Sequence, residues 1–128
     1  MEPLEWLEEW SVGNESLDHD HKRLVEIINR VGDADADEED PAWVISELSK
    51  YATYHFQREE EMMAAAHIPG LEEHKQTHQK FIDWLASLQA TINLPESRFI
   101  MFEAANGYLR DWLRRHILGT DMQYKGKL

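Results

Sequence analysis

The sequence predicts an all-α fold: an antiparallel up-down-up-down four-helix bundle preceded by an N-terminal arm. Three observations lead there. Inward residues recur at alternating spacings of three and four, which is the period of a helix. Breakers cut that pattern into four segments, at Gly32 to Pro41, at Pro69-Gly70, at Asn93-Leu94-Pro95 and at Gly119. Period-two alternation is sustained nowhere, which argues against strands. Four segments of roughly 15 to 24 residues with short connections favour antiparallel neighbours.

Taken in order, residues 1 to about 16 read as the arm, with Trp6 and Trp10 available to pack it down. The first helix carries Leu17, His21, Leu24, Ile28 and Val31 inward, and the second Leu48, Ala52, His55, Glu59 and Met62. The third carries Leu71, His74, His78, Phe81, Leu85, Leu88 and Ile92, and the fourth Phe99, Phe102, Ala105, Leu109, Trp112 and His116. Pro41 and Pro95 suit first-turn positions, while Gly32 and Gly119 suit C-terminal stops. The expectation is one domain over residues 1–128, with the bundle over about 17–121 and a short C-terminal tail.

Composition narrows the classes. A chain of 128 residues with 42% hydrophobic content, five Trp and four Phe can bury one substantial core. A net charge of -12 opposes contact with phosphate backbones, so nucleic acid is not an expected partner. Arg110, Arg114 and Arg115 read as a solvated face. No apolar run approaches the ~18 residues needed to span a bilayer, and Met1-Glu2-Pro3-Leu4-Glu5 lacks the basic and apolar regions of a signal peptide. Zero cysteines removes disulfides, iron–sulfur clusters and zinc ribbons together. The expectation is a soluble, cytoplasmic protein, with no protein partner indicated.

Seven polar residues occupy core positions of this pattern or its end: His21, His55, Glu59, His74, His78, His116 and Asp121. Titratable side chains are costly there unless something satisfies them. His21 lies near the start of the first helix, His55 and Glu59 near the end of the second, His74 and His78 near the start of the third, and His116 near the end of the fourth. An antiparallel bundle puts all of these at one level. His55 and Glu59 are four apart, as are His74 and His78, so each pair projects from one face. His116 and Asp121 are five apart, about 140° out of phase on a continuous helix. A helix end at Gly119 would let the chain turn Asp121 back.

Imidazole with carboxylate favours iron, manganese or zinc over calcium or magnesium. Seven donors are too many for one ion and suit two. If both carboxylates and one solvent-derived oxygen bridge two six-coordinate metals, they fill six of twelve positions. Five histidines fill five more and one position stays open, which points to binding a small exogenous ligand.

Four segments then carry a resemblance. They are Leu17-Asp18-His19-Asp20-His21, His55-Phe56-Gln57-Arg58-Glu59-Glu60, His74-Lys75-Gln76-Thr77-His78, and the run from Trp112-Leu113-Arg114-Arg115-His116-Ile117 through Asp121. With these the chain resembles the hemerythrins, more specifically the single-domain bacterial hemerythrins (bacteriohemerythrins), over nearly its whole length including Trp10-Ser11-Val12-Gly13. The resemblance implies a non-haem di-iron centre, two iron ions per chain bridged by oxo or hydroxo. It implies that His74, His78 and His116 bind one iron, that His21 and His55 bind the other, and that Glu59 and Asp121 bridge them. It further implies reversible binding of dioxygen at the iron with two histidines, behind an apolar lining of Leu24, Phe56, Trp112 and Leu113. Asp20 departs from the glutamine of many bacterial members, which leaves the hydrogen bonding beside His21 open.

The remaining motifs read blandly. His19 is about 200° from His21 on the helix, and His67 lies beside the Pro69-Gly70 break. Of Glu59-Glu60-Glu61, only Glu59 shares the face of His55. The stretch Asp33-Ala34-Asp35-Ala36-Asp37 lacks the glycine and the closing glutamate of a calcium loop, having Glu38 and Val44 there. Met62 and Met63 fill core and boundary space. Three functions compete: reversible oxygen binding for storage or delivery; sensing of oxygen, nitric oxide or redox state, in a fragment of a larger receptor; and an enzyme such as a peroxidase, nitric oxide reductase or oxygenase. No histidine has a glutamate three positions before it, unlike the Glu-x-x-His pairs of ferritin-like di-iron enzymes. A non-enzymatic oxygen binder is the favoured reading.

Overall fold

The computed structural model describes residues 3–33, 40–90 and 98–128. It is a bundle of four helices, α1 (Glu15–Asp33), α2 (Pro41–Ala65), α3 (Leu71–Ala90) and α4 (Arg98–Trp112), with no strand among the described residues. α1 packs on α2 and on α4, and α2 packs on α3. The ring contacts Phe81–Trp112 and Trp84–Tyr108 close α3 against α4. No helix among the described residues is long and apolar enough to cross a membrane. The expected features at Ala34 to Glu38, at Ile92 and at Asn93-Leu94-Pro95 lie outside the described residues, and the side chain of Phe99 is likewise not described.

Local chemistry sets the ends. Asn14 Oδ1 accepts from Leu17 N at 3.1 Å, satisfying one of the free N–H groups of the first turn of α1. Asp40 caps α2 by accepting from Ala42 N at 3.0 Å, and Pro41 occupies the first turn as its fixed φ favours. Gly32 does not stop α1; it sits inside the last turn. A Cβ there would lie 3.0 Å from Asn106 Nδ2. Asn106 is buried, donates to Ile28 O at 3.1 Å and accepts from Arg110 Nε at 2.9 Å. The glycine therefore serves a close approach of α1 and α4 rather than a turn.

α2 ends through Ala66, with His67 in the left-handed region at φ 56°. Ile68 N returns to Met63 O at 3.0 Å, the closure that glycine usually makes at this place. A residue with a Cβ is strained there. His67→Gly is expected to stabilise the protein by about 0.5–1 kcal/mol after glycine's entropy is counted, visible as a higher thermal midpoint.

Among the described residues two apolar clusters fill the interior. The larger, including Leu24, Ile28, Leu48, Phe81, Phe102 and Leu109, runs along the bundle. The smaller, Val12, Leu17, Met63 and Tyr124, closes the end where α1 begins and α2 finishes. Met63, not Met62, is the buried member of that pair, because four residues from Glu59 keep the inward phase better than three. The arm lies along α1, where Leu4 and Asn29 exchange hydrogen bonds of 2.6 and 2.8 Å. Trp6 and Trp10 meet edge to face and pack on the main core, as expected for an arm held down by its tryptophans. Gly126 N reaches Val12 O at 3.4 Å, so arm and tail cross over the closed end.

Beyond Trp112 the last helix does not terminate at Gly119. It widens into a π-helix over Leu113–Thr120 and tightens into a 3-10 turn over Asp121–Tyr124. Asp121 N–H donates to His116 O, five residues back. Such i→i+5 turns are rare and concentrate at functional sites. Here the widened turn puts residues five apart on one face, which removes the phase problem that a helix end was expected to solve.

Candidate metal centre

The structure brings all seven predicted residues together. His21, His55, Glu59, His74, His78, His116 and Asp121 are each at most 5% exposed. They form two adjoining clusters that could hold a metal ion, Glu59 with His74, His78 and His116, and Glu59 with His21, His55 and Asp121. Within each cluster the donor atoms lie within 4.8 Å of one another.

The carboxylates divide their oxygens between the clusters. Glu59 Oε1 faces His74 in a close contact, His78 at 3.1 Å and His116 at 4.0 Å. Glu59 Oε2 faces His55 at 3.3 Å and His21 at 3.9 Å. Asp121 Oδ1 lies 3.1 Å from His74 and 3.2 Å from His116, and Oδ2 lies 3.4 Å from His21. Three imidazoles therefore sit on one side of the carboxylate pair and two on the other.

Several of these atoms converge without bonding one another. Both Asp121 oxygens and His116 Nε2 are buried with no hydrogen-bond partner of good geometry among the described residues. The Nε2 atoms of His21 and His55 face each other at 3.2 Å. Buried polar atoms are normally satisfied, and neutral imidazole nitrogens confront lone pair to lone pair unless a proton or a cation lies between. Nitrogen and carboxylate donors of this kind fit a first-row transition metal.

The charges agree. Burial would raise the Glu59 carboxyl, but His116, His55, His74 and His78 outweigh it and hold the group well below the ordinary carboxylate range. Burial and Glu59 would likewise raise Asp121, and His116, His21 and His74 pull it down. Burial would lower His55, yet Asp20 and Glu59 push it up to about 9. His74 rises to about 9 against its burial through Asp121 and Glu59, and His116 rises for the same reasons. Without a metal the two anions are balanced by protonated imidazoles.

The outer nitrogens are held from behind, as ligating histidines commonly are. His55 Nδ1 donates to Asp20 at 3.0 Å, and Arg58 Nη1 donates to both Asp20 oxygens at 3.0 Å. The aspartate thus orients the histidine on α2 rather than its neighbour His21. Burial would raise Asp20, but His55 and Arg58 bring it below its ordinary value. His78 Nδ1 donates to Glu60 at 2.7 Å. Thr77 Oγ1 donates to His74 O at 2.7 Å, which leaves it to accept from His116 Nδ1 at 3.2 Å. Phe56 stacks on His78 at 3.9 Å and Trp112 on His116 at 4.1 Å; Leu24 and Leu113 are buried in the same core. His19 and His67 are exposed and take no part.

Sequence reasoning did not single out Glu60, Thr77, Tyr51 or Tyr124. Tyr124 is 1% exposed, and its hydroxyl donates to Glu59 Oε2 at 2.9 Å. Burial, then the charges of Asp121 and Glu59, raise its pKa, so the phenol keeps its proton. Its position three beyond Asp121 is the only trace in the sequence. Tyr124→Phe is expected to cost about 1.5–3 kcal/mol in urea denaturation, the range for a hydrogen bond to a charged group.

Fold and site define a four-helix bundle whose closed end carries two adjoining clusters, sharing one glutamate, that could each hold a metal ion. Residues 12–128 match the family model described as the hemerythrin HHE cation binding domain. The chain is 34% identical over 127 residues to a myohemerythrin of Theromyzon tessulatum, covering 99% of this chain and 95% of that one. It is 34% identical over 126 residues to a hemerythrin-like protein of Naegleria gruberi, covering 98% and 94%. A bacteriohemerythrin of Pseudomonas aeruginosa (strain LESB58) is 32% identical over 126 residues, covering 97% and 80%. The chain belongs to the hemerythrin family.

Proposed function

We propose that this protein binds dioxygen reversibly at a non-haem di-iron centre, for storage or delivery rather than turnover. In this reading His74, His78 and His116 would hold one iron, His21 and His55 would hold the other, and Glu59 and Asp121 would serve both. The observation that carries the reading is the unequal division of imidazoles, three against two, about a carboxylate pair that presents oxygens to both sides. With equal coordination numbers the two-histidine side would keep one open position.

An iron pair held there would supply the electrons that let dioxygen bind and leave. The chain's own residues do the rest. Asp20, Glu60 and Thr77 fix the ring orientations of His55, His78 and His116. Tyr124 holds Glu59, and the π turn holds Asp121. Leu24, Phe56, Trp112 and Leu113 exclude bulk water, which limits proton-driven loss of electrons to oxygen.

The test is an anaerobic reduction of the iron-loaded protein followed by oxygen and then argon, watched by visible absorption. A charge-transfer band that appears with oxygen and fades under argon is the expected result. A ferric spectrum that forms at once and never reverts would replace reversible binding with redox chemistry.

A further inference from the structure

The apolar lining implied by resemblance is interrupted by two polar atoms. Tyr51 Oη and Trp112 Nε1 are both buried, and neither has a hydrogen-bond partner of good geometry among the described residues. They belong to one place, because the Tyr51 and Trp112 rings, from α2 and α4, both pack on Phe56 and Phe81. Even a bond between them would leave a donor over. The indole N–H can only donate, and a hydroxyl that accepts it still has its own proton to place.

The surroundings place that donor. The Tyr51 ring lies parallel to His55, with centroids 4.9 Å apart and planes at 17°, and meets Phe56 and Phe81 edge on. Trp112 lies parallel to His116 at 12°. With its ring against both His55 and Phe56, Tyr51 stands between a histidine of the two-histidine side and a residue of the expected ligand lining.

Resting on the di-iron reading, we propose that Tyr51 is a hydrogen-bond donor to the ligand at the open position. One buried donor rewards a ligand carrying lone pairs and negative charge, for which azide is the probe. The donor stands on α2, set in a lining that otherwise only excludes water.

The experiment is an azide titration of the iron-loaded ferric protein, comparing wild type with Tyr51→Phe and with Tyr54→Phe, whose side chain is exposed. Iron content and the thermal midpoint without azide are measured on the same samples. Tyr51→Phe is expected to keep its iron, to melt at or above the wild-type temperature because an unpartnered buried hydroxyl is gone, and to bind azide about tenfold more weakly. Tyr54→Phe is expected to match wild type. Unchanged azide affinity in iron-loaded Tyr51→Phe overturns the donor role alone. A lower midpoint without azide also overturns it, by showing a structural hydrogen bond. Wild-type protein that takes up no iron removes the di-iron reading, and this inference with it.

Discussion

Stripping the metal with a chelator is expected to lower the thermal midpoint by about 10–15 °C at neutral pH. Binding to the folded state alone contributes about 2.7–4.1 kcal/mol at 100 to 1,000 times Kd, and about 4 °C per kcal/mol is reasonable for this chain length. The gap between the two forms is also expected to widen with pH. In the metal-free protein His55 and His74 are raised to about 9 by the carboxylates beside them. A raised histidine contributes stability that is fully present below the unfolded value of about 6.5 and is lost as pH rises through the folded value. Glu59 and Asp121 are lowered, so their contribution is present above the ordinary carboxylate range and is lost on acidification. The metal-free protein is therefore most stable between roughly pH 4.5 and 6.5. The metal requires neutral imidazoles, so its contribution grows over the range in which the protons leave. Melting both forms at pH 5.5 and 8.5 checks this; parallel curves would mean that protons and metal do not compete for these residues.

Glu59→Ala is expected to empty both metal sites together. Glu59 is the one residue common to both clusters. Removing its charge leaves buried cationic charge uncompensated at about 3–5 kcal/mol, which is more than about a hundredfold in affinity. Iron should fall from two per chain to well under one. His116→Ala should weaken chiefly the three-histidine site, and His67→Ala should change nothing, since His67 is exposed beyond the end of α2. Iron assay after identical reconstitution separates these outcomes. Equal losses in His67→Ala and His116→Ala would remove the proposed ligand assignment.

Much of this architecture was legible because helical periodicity and ligand spacing reinforce each other. His55 with Glu59, and His74 with His78, could be placed on single faces from their four-residue separation, and the antiparallel order put them at one level. Asp121 was legible only as a donor. The π turn that aims it depends on backbone hydrogen bonds five residues apart, and Leu113–Thr120 reads as ordinary helix in sequence. Gly32 looked like a stop because glycine often is one, whereas its role is contact with Asn106 on a distant helix. Asp20 and Glu60 act across helices, on His55 and His78, and no spacing within one helix reveals that. Tyr51 and Tyr124 resemble core aromatics in the pattern; only the positions of their hydroxyls set them apart.

The most direct test is an anaerobic titration of the metal-free protein with ferrous ion, following bound iron per chain. Saturation at two ions per chain, with protons released as the raised imidazoles give way to metal, is the predicted result. Saturation at one ion, or no uptake, would contradict a shared carboxylate pair serving two irons.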